Sequence, residues 1–184
     1  MKSVLNDFTI YLAGPIEYTK DSGVAWRKKI KQYCSDFKLG IDFLDPTDKP
    51  VFARHINDEK QKSNDLKNEG NWYELRSLMK EIVRTDLRMV DRSDAVIAYI
   101  NVDIYMCGTM HEIVNASVQH KPIFLIVDGG KKRCPSWLFG LIDYQEMFDS
   151  VEECISYLHK IDTGLVKIDN RFPFIKREKL CQYS

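Results

Sequence analysis

Apolar residues along this chain fall into short unbroken runs and longer stretches of helical period, and the two kinds alternate. Phe8 to Ala13 is a continuous run closed by Gly14-Pro15, the pattern of a buried strand. From about Gly23 to Phe37, Val24, Trp26, Ile30, Tyr33 and Phe37 recur at near-helical spacing with lysines between them, and Gly40 reads as the stop. Ile41 to Leu44 predicts a second strand, closed by Asp45-Pro46. Trp72 to about Asp91 predicts a strong amphipathic helix: Leu75, Leu78, Met79, Ile82, Val83, Leu87 and Val90 keep the period, with Asp86 near the apolar stripe. Ser93-Asp94 breaks it. Ala95 to Ile100 predicts the third strand, Asn101 to Met106 a loop, and Gly108 to about Gln119 the next helix. Pro122 to Val127 predicts the fourth strand, ended by Asp128-Gly129-Gly130. Ser150 to about Lys160 predicts a terminal helix in which Ser150 and Glu153 suit a capping box.

Strands that alternate with helices predict a single doubly wound parallel sheet of the α/β class, Rossmann- or flavodoxin-like, with helices on both faces. Parallel neighbours need such crossovers. The domain is expected over residues 1–162, with a polar and aromatic extension over 163–184 that suits an oligomer contact. Thr47 to Gly70 is polar, densely charged and too long for a routine connection, which makes it a candidate lid loop.

Composition narrows the classes. At 184 residues, one domain is the default. Lys plus Arg and Asp plus Glu both total 27, so no basic excess points to a nucleic-acid polymer or a membrane surface. No apolar run approaches the ~20 residues of a membrane span. The first residues lack the apolar stretch of a signal peptide, so a cytoplasmic protein is expected. Cys34, Cys107, Cys134, Cys154 and Cys181 are scattered without CxxC spacing, which indicates neither a zinc site nor a disulfide framework.

Chemistry concentrates in two places. In Cys107-Gly108-Thr109-Met110-His111-Glu112, a Gly-Thr turn after an apolar strand opens a helix with one carboxylate about a turn in. Helix N-termini hold anionic or hydroxyl-rich ligands. In Tyr11-Leu12-Ala13-Gly14-Pro15, a strand stops abruptly at the sheet edge where open α/β sheets bind ligands. Tyr11, Asp86 and Glu112 are therefore expected to converge, although spacing alone also fits Glu112 as a solvated first-turn residue. Paired carboxyl groups carry glycoside chemistry: one attacks or stabilises a cationic carbon while another group protonates the leaving atom.

Tyr11-Leu12-Ala13-Gly14-Pro15, Thr85-Asp86-Leu87, Ser93-Asp94-Ala95-Val96-Ile97-Ala98 and Gly108-Thr109-Met110-His111-Glu112 with Ala116 resemble, in order and spacing, the nucleoside 2-deoxyribosyltransferase family. Its superfamily includes hydrolases of 2'-deoxynucleoside 5'-monophosphates. The resemblance runs from about residue 8 to 140. It implies that Glu112 is the nucleophile at C1' of the deoxyribose, that Tyr11 orients it, and that Asp86 contacts the sugar or the leaving base. Asp94 reads as a structural helix-to-strand turn. Gly14, Pro15, Asp103, Gly108 and Thr109 are the expected substrate contacts, and a group near Asp86 or Asp103 is needed as acid for the leaving base. Glu112 must be ionised to react, which a Tyr11 hydrogen bond would favour. The resemblance requires no metal or redox cofactor. The substrate is a nucleoside or nucleotide, and a homo-oligomer is implied in which Arg133, Ser136 and Trp137 reach a neighbouring subunit's pocket.

Two departures bear on specificity. Transferases of the family often carry a base-facing aspartate six residues before the nucleophile; Met106 stands there. The hydrolases often place arginine and serines for a 5'-phosphate after the first strand; here Ile16-Glu17-Tyr18 follows, with Arg27 further on. Three readings stay open: deoxyribosyl transfer, hydrolysis of a (modified) deoxynucleoside monophosphate, and a non-catalytic nucleotide sensor whose charged stretch orders on binding. His111 is expected to point away from the site, and Trp26, Trp72 and Trp137 to serve core or interface, with Trp72 an alternative base platform. Lys131-Lys132-Arg133 reads as a solvated loop rather than a phosphate site.

Overall fold

The computed structural model describes residues 4–49 and 58–166. Five strands, β1 (Thr9–Ala13), β2 (Asp42–Leu44), β3 (Ala95–Ile100), β4 (Ile123–Val127) and β5 (Met147–Phe148), form one sheet in the order β2-β1-β3-β4-β5. Every pairing is parallel, as the alternating pattern requires. The helices are α1 (Val24–Asp36), α2 (Glu59–Asn68), α3 (Trp72–Arg92), α4 (Cys107–Val118) and α5 (Val151–Asp162). Strand parity divides the interior into two cores. Ile10, Leu12, Ala95, Ile97, Phe124 and Ile126 face α1 and α5, whereas Tyr11, Ala13, Val96, Ala98, Leu125 and Val127 face α3 and α4. Strand order reverses between β1 and β3, where such sheets open a crevice at their carboxyl ends.

The pattern of apolar runs misses three features. The expected lid loop includes a ten-residue helix, α2, packed on α3. It is polar on most sides, so no apolar stripe announces it. The fifth strand has only two residues, too few for periodicity to register. Helix α1 is closed by Lys38 in the left-handed region (φ 55°), not by Gly40. The Leu39 N–H reaches the Cys34 carbonyl at 3.0 Å, in the manner of a Schellman end. Asp94 makes the expected turn: its Oδ2 accepts from the Thr9 N–H at 2.9 Å, while its own N–H donates to the Thr9 carbonyl at 2.7 Å. Ser150 caps α5 by accepting from the Glu153 N–H, and the Glu153 carboxylate reaches back to the Asp149 N–H. The extension is described only to residue 166, so its expected interface role lies largely outside the described residues. Among the described residues, no helix is long and apolar enough to cross a membrane.

Candidate active site

Tyr11 points from the middle of β1 to the α3–α4 side, where it is fully buried. Its hydroxyl donates to Glu112 Oε1 at 2.7 Å. Glu112 sits in the second turn of α4 at the floor of a cleft of about 380 Å³. Gly14 and Pro15 after β1, Gly108 and Thr109 at the start of α4, and Asp86 from α3 line the same cleft. A methyl group on Gly108 would meet no protein atom within 4 Å, so that backbone lies open to a ligand. Met79, Ile82, Val83 and Leu87 of α3 form an apolar wall, and Tyr105 adds an aromatic ring. A planar, weakly polar group fits such a wall, while the polar groups collect below it.

Burial governs the electrostatics. It pushes the Glu112 carboxyl up to about 8, against the Tyr11 hydrogen bond; nearby Asp86 adds to the rise, and Arg27 and Lys49 oppose it. The hydrogen bond foreseen to keep Glu112 ionised is present, but desolvation outweighs it. Burial, then the charges of Glu112 and Asp86, raise Tyr11 well above the ordinary phenol range, so it remains a donor. Asp86 is raised by burial despite Lys49, whose Nζ lies 2.5 Å from Asp86 Oδ1. That lysine, itself buried, also stands 3.2 Å from Glu59 Oε2 of α2. Neither Lys49 nor Glu59 carried a sequence signal. Both belong to the charged stretch, where nothing separates a buried charge from solvated ones.

Helix α2 roofs one side of the cleft. Glu59 and Lys67 line it, Lys67 pairs with Glu17, and Lys60 donates to the Thr19 carbonyl in the loop after β1. The stretch read as a lid thus bears directly on the site.

A family model for nucleoside 2-deoxyribosyltransferase matches residues 10–136. The chain belongs to that family. A search of curated proteins found none that matches. Among solved structures, the fold is similar to a 2-deoxyribosyltransferase from the psychrotolerant bacterium Bacillus psychrosaccharolyticus. The identity is 16%, the TM-score 0.53, and the match covers 81% of this chain and 91% of that one. A CMP N-glycosidase from Clostridium botulinum is similar at 17% identity and a TM-score of 0.41, over 85% of this chain and 98% of that one.

In this member of the deoxyribosyltransferase family, other expected contacts lie apart from the cleft. Asp103 is exposed and held by Arg133 through two contacts of 2.7 Å, and neither residue lines the cleft. Ser136 and Trp137 lie on an exposed 3-10 turn, Trp137 with 81% of its surface free. Met106 does line the cleft, so the position of the family's base-facing aspartate presents an apolar side chain. His111, expected to point away, stands on the exposed rim of the same cleft. Trp72 is exposed and off the lining, and Trp26 is buried against Tyr99, with centroids 5.3 Å apart.

Arg27 is no phosphate ligand. It is buried, donating to the carbonyls of Leu12, Gly14 and Gly23, with Asp45 Oδ1 3.5 Å from its Nε. A side chain on Gly14 would come within 2.6 Å of the Trp26 ring, and one on Gly23 (φ 70°) would collide with Arg27 and the Pro15 carbonyl. These glycines let the turn close over Arg27.

Proposed function

We propose that the protein cleaves the N-glycosidic bond of 2'-deoxyribonucleosides and transfers the deoxyribosyl group to a second base, with Glu112 as nucleophile. The observation that carries this reading is the Tyr11–Glu112 hydrogen bond at the floor of a cleft with an apolar wall. Tyr11 occupies one carboxylate oxygen and leaves the other to attack C1'. As the C1'–N bond breaks, its electron pair goes to the base nitrogen, and positive charge at C1' is met by the Glu112 carboxylate. The departing base takes a proton, a role we assign to the Asp86 carboxyl, which lines the cleft and is raised by burial. A second base then attacks C1' through a ring nitrogen, the C1'–O bond to Glu112 breaks to return its carboxylate, and the incoming base's proton goes back to Asp86. Because burial raises Glu112 to about 8, kcat/KM of the free enzyme should rise with pH up to that value.

The 2'-deoxy preference follows from the same placement. A 2'-hydroxyl would crowd or hydrogen-bond the attacking carboxylate, so deoxyadenosine should exceed adenosine by about tenfold or more in kcat/KM.

Hydrolysis of a deoxynucleoside 5'-monophosphate is the second reading, favoured by apolar Met106 at the base-facing position. Against it, Lys67, the lysine that lines the cleft, is already paired with Glu17. Incubating the protein with deoxynucleosides and deoxynucleotides, with and without a second base, separates the two. A new nucleoside means transfer; deoxyribose 5-phosphate means hydrolysis. Turnover that disappears in Glu112→Gln excludes a silent sensor. We also propose a homo-oligomer in which exposed Trp137, with Arg133 and Ser136, is covered; sizing the protein with and without Trp137→Ser tests it.

A further inference from the structure

Among the described lysines, Lys49 is the one whose ammonium lies between carboxyl groups of two different helices, buried Asp86 and half-buried Glu59. It is 2% exposed, at the end of the turn that follows β2. Asp86 of α3 stands at 2.5 Å and Glu59 of α2 at 3.2 Å, and both of those residues line the cleft. The two links differ in kind. Lys49 donates a hydrogen bond to Asp86, whereas buried Glu59 Oε2 is ion-paired with it and meets no hydrogen-bond donor among the described residues. A cation withdrawn from water persists only where its neighbours replace the lost hydration. These neighbours do so, and both are also walls of the site.

We infer that Lys49 is a positioning residue of the reaction: its ammonium holds Asp86 in the cleft and ties it to Glu59, coupling the α2 roof to the carboxyl beside the reacting bond. The inference rests on the proposed N-glycosidic chemistry. Among the described residues, the titratable and charged groups that face this cluster are Asp86 from α3, Glu59 from α2, Glu112 from α4, Tyr11 from β1 and Arg27 from α1. Asp86 and half-buried Glu59 flank this ammonium, while Arg27, held by Asp45 and backbone carbonyls, also favours the ionised form of Glu112. Lys49 is the nearest positive charge that favours ionisation of Asp86 and also favours that of Glu112. Glu59 opposes it, because its charge and that of Asp86 repel. Opposite shifts from replacing Lys49 and Glu59 are the signature of this arrangement, and a merely structural lysine would not produce them.

The experiment combines carboxyl-carbon NMR titration of the unliganded protein with pH profiles of kcat/KM for base exchange, in the wild type, K49M, K49R and E59Q. In K49M, the Asp86 and Glu112 titrations and the acid limb of the profile should move up by about one pH unit. The loss in kcat/KM at pH 6 should then be about tenfold, and larger in kcat than in KM. K49R should restore most of it. E59Q should move the same limb down. Should K49M not fold, the E59Q shift alone decides. Unmoved titrations in folded K49M, or in E59Q, overturn the inference. A wild type without Glu112-dependent exchange instead defeats the functional reading, while the titrations still judge Lys49.

Discussion

The two sides of β1 each bury a cation, and they use it in opposite ways. On the α1–α5 side, Arg27 directs its guanidinium at three backbone carbonyls and at Asp45, whose carboxyl is held low: hydrogen bonds from Lys31 and Thr47, with the Arg27 charge, outweigh its burial. On the α3–α4 side, Lys49 faces Asp86 and Glu59, and burial keeps both carboxyl groups raised. The first cluster is satisfied and fixes the turn at Gly14-Pro15. Among the described residues, the second sets two carboxyl groups against one ammonium, a state that costs stability. A fold that pays for a site in one region compensates elsewhere.

That contrast predicts different responses to substitution. The largest effect belongs to Arg27→Met, which takes the guanidinium from three backbone carbonyls and leaves Asp45 only Lys31 and Thr47. Thermal unfolding should show a loss of about 3–5 kcal/mol, nearly unchanged from pH 5 to pH 8. Lys49→Met should behave differently. Removing its charge raises folded-state carboxyl groups further above their unfolded values, so its cost is smallest near pH 4 and grows as pH rises. A pH-independent cost for both would erase the distinction.

Tyr11→Phe sharpens the functional half. It removes a hydrogen bond to the anionic form of Glu112, so kcat/KM should fall by about ten- to a hundredfold at pH 6–7 and by less at pH 9. Steady-state rates across that range check it, with circular dichroism confirming the fold.

Glu112→Gln should give the reverse in stability. The folded carboxyl lies near 8 against an ordinary 4.5, so its neutral form is favoured in the folded protein. That contribution is fully present below pH 4.5 and is lost as pH rises through 8. The neutral amide escapes the loss: at pH 9 the variant should be more stable than the parent by about 1–3 kcal/mol, and near pH 4 nearly equal. Calorimetry at the two pH values decides. The smallest effect is Ser150→Ala on the opposite face, which should cost about 1 kcal/mol of stability through the lost cap and leave turnover unchanged.

The sheet was legible because its strands are nearly uniform apolar runs and its long helices strongly periodic. Val96 to Ile100 and Leu75 to Val90 allow few other arrangements. Tyr11, Asp86 and Glu112 were legible as a set through their order in the chain and their place at the β1–β3 crossover. What escaped depends on three-dimensional burial. Lys49 has ordinary lysine neighbours in sequence and becomes distinctive only once β2 and α2 enclose it. Helix α2 has too little apolar surface for its period to show. Arg27, which the sequence shows only as an arginine further along from the first strand, is committed to carbonyls that no sequence pattern reveals. Asp103 lies near in sequence to the start of α4 yet turns outward to Arg133.

The central claim is that Glu112 becomes bonded to C1' of the sugar. Its most direct measurement is mass spectrometry of the protein quenched in acid shortly after mixing with deoxyadenosine, followed by proteolysis. The account predicts one deoxyribosyl group on the peptide that contains Glu112, formed as adenine is released, discharged when a second base is added, and absent from Glu112→Gln. Release of adenine by Glu112→Gln at the parent rate, with no adduct on that peptide in either protein, would contradict it.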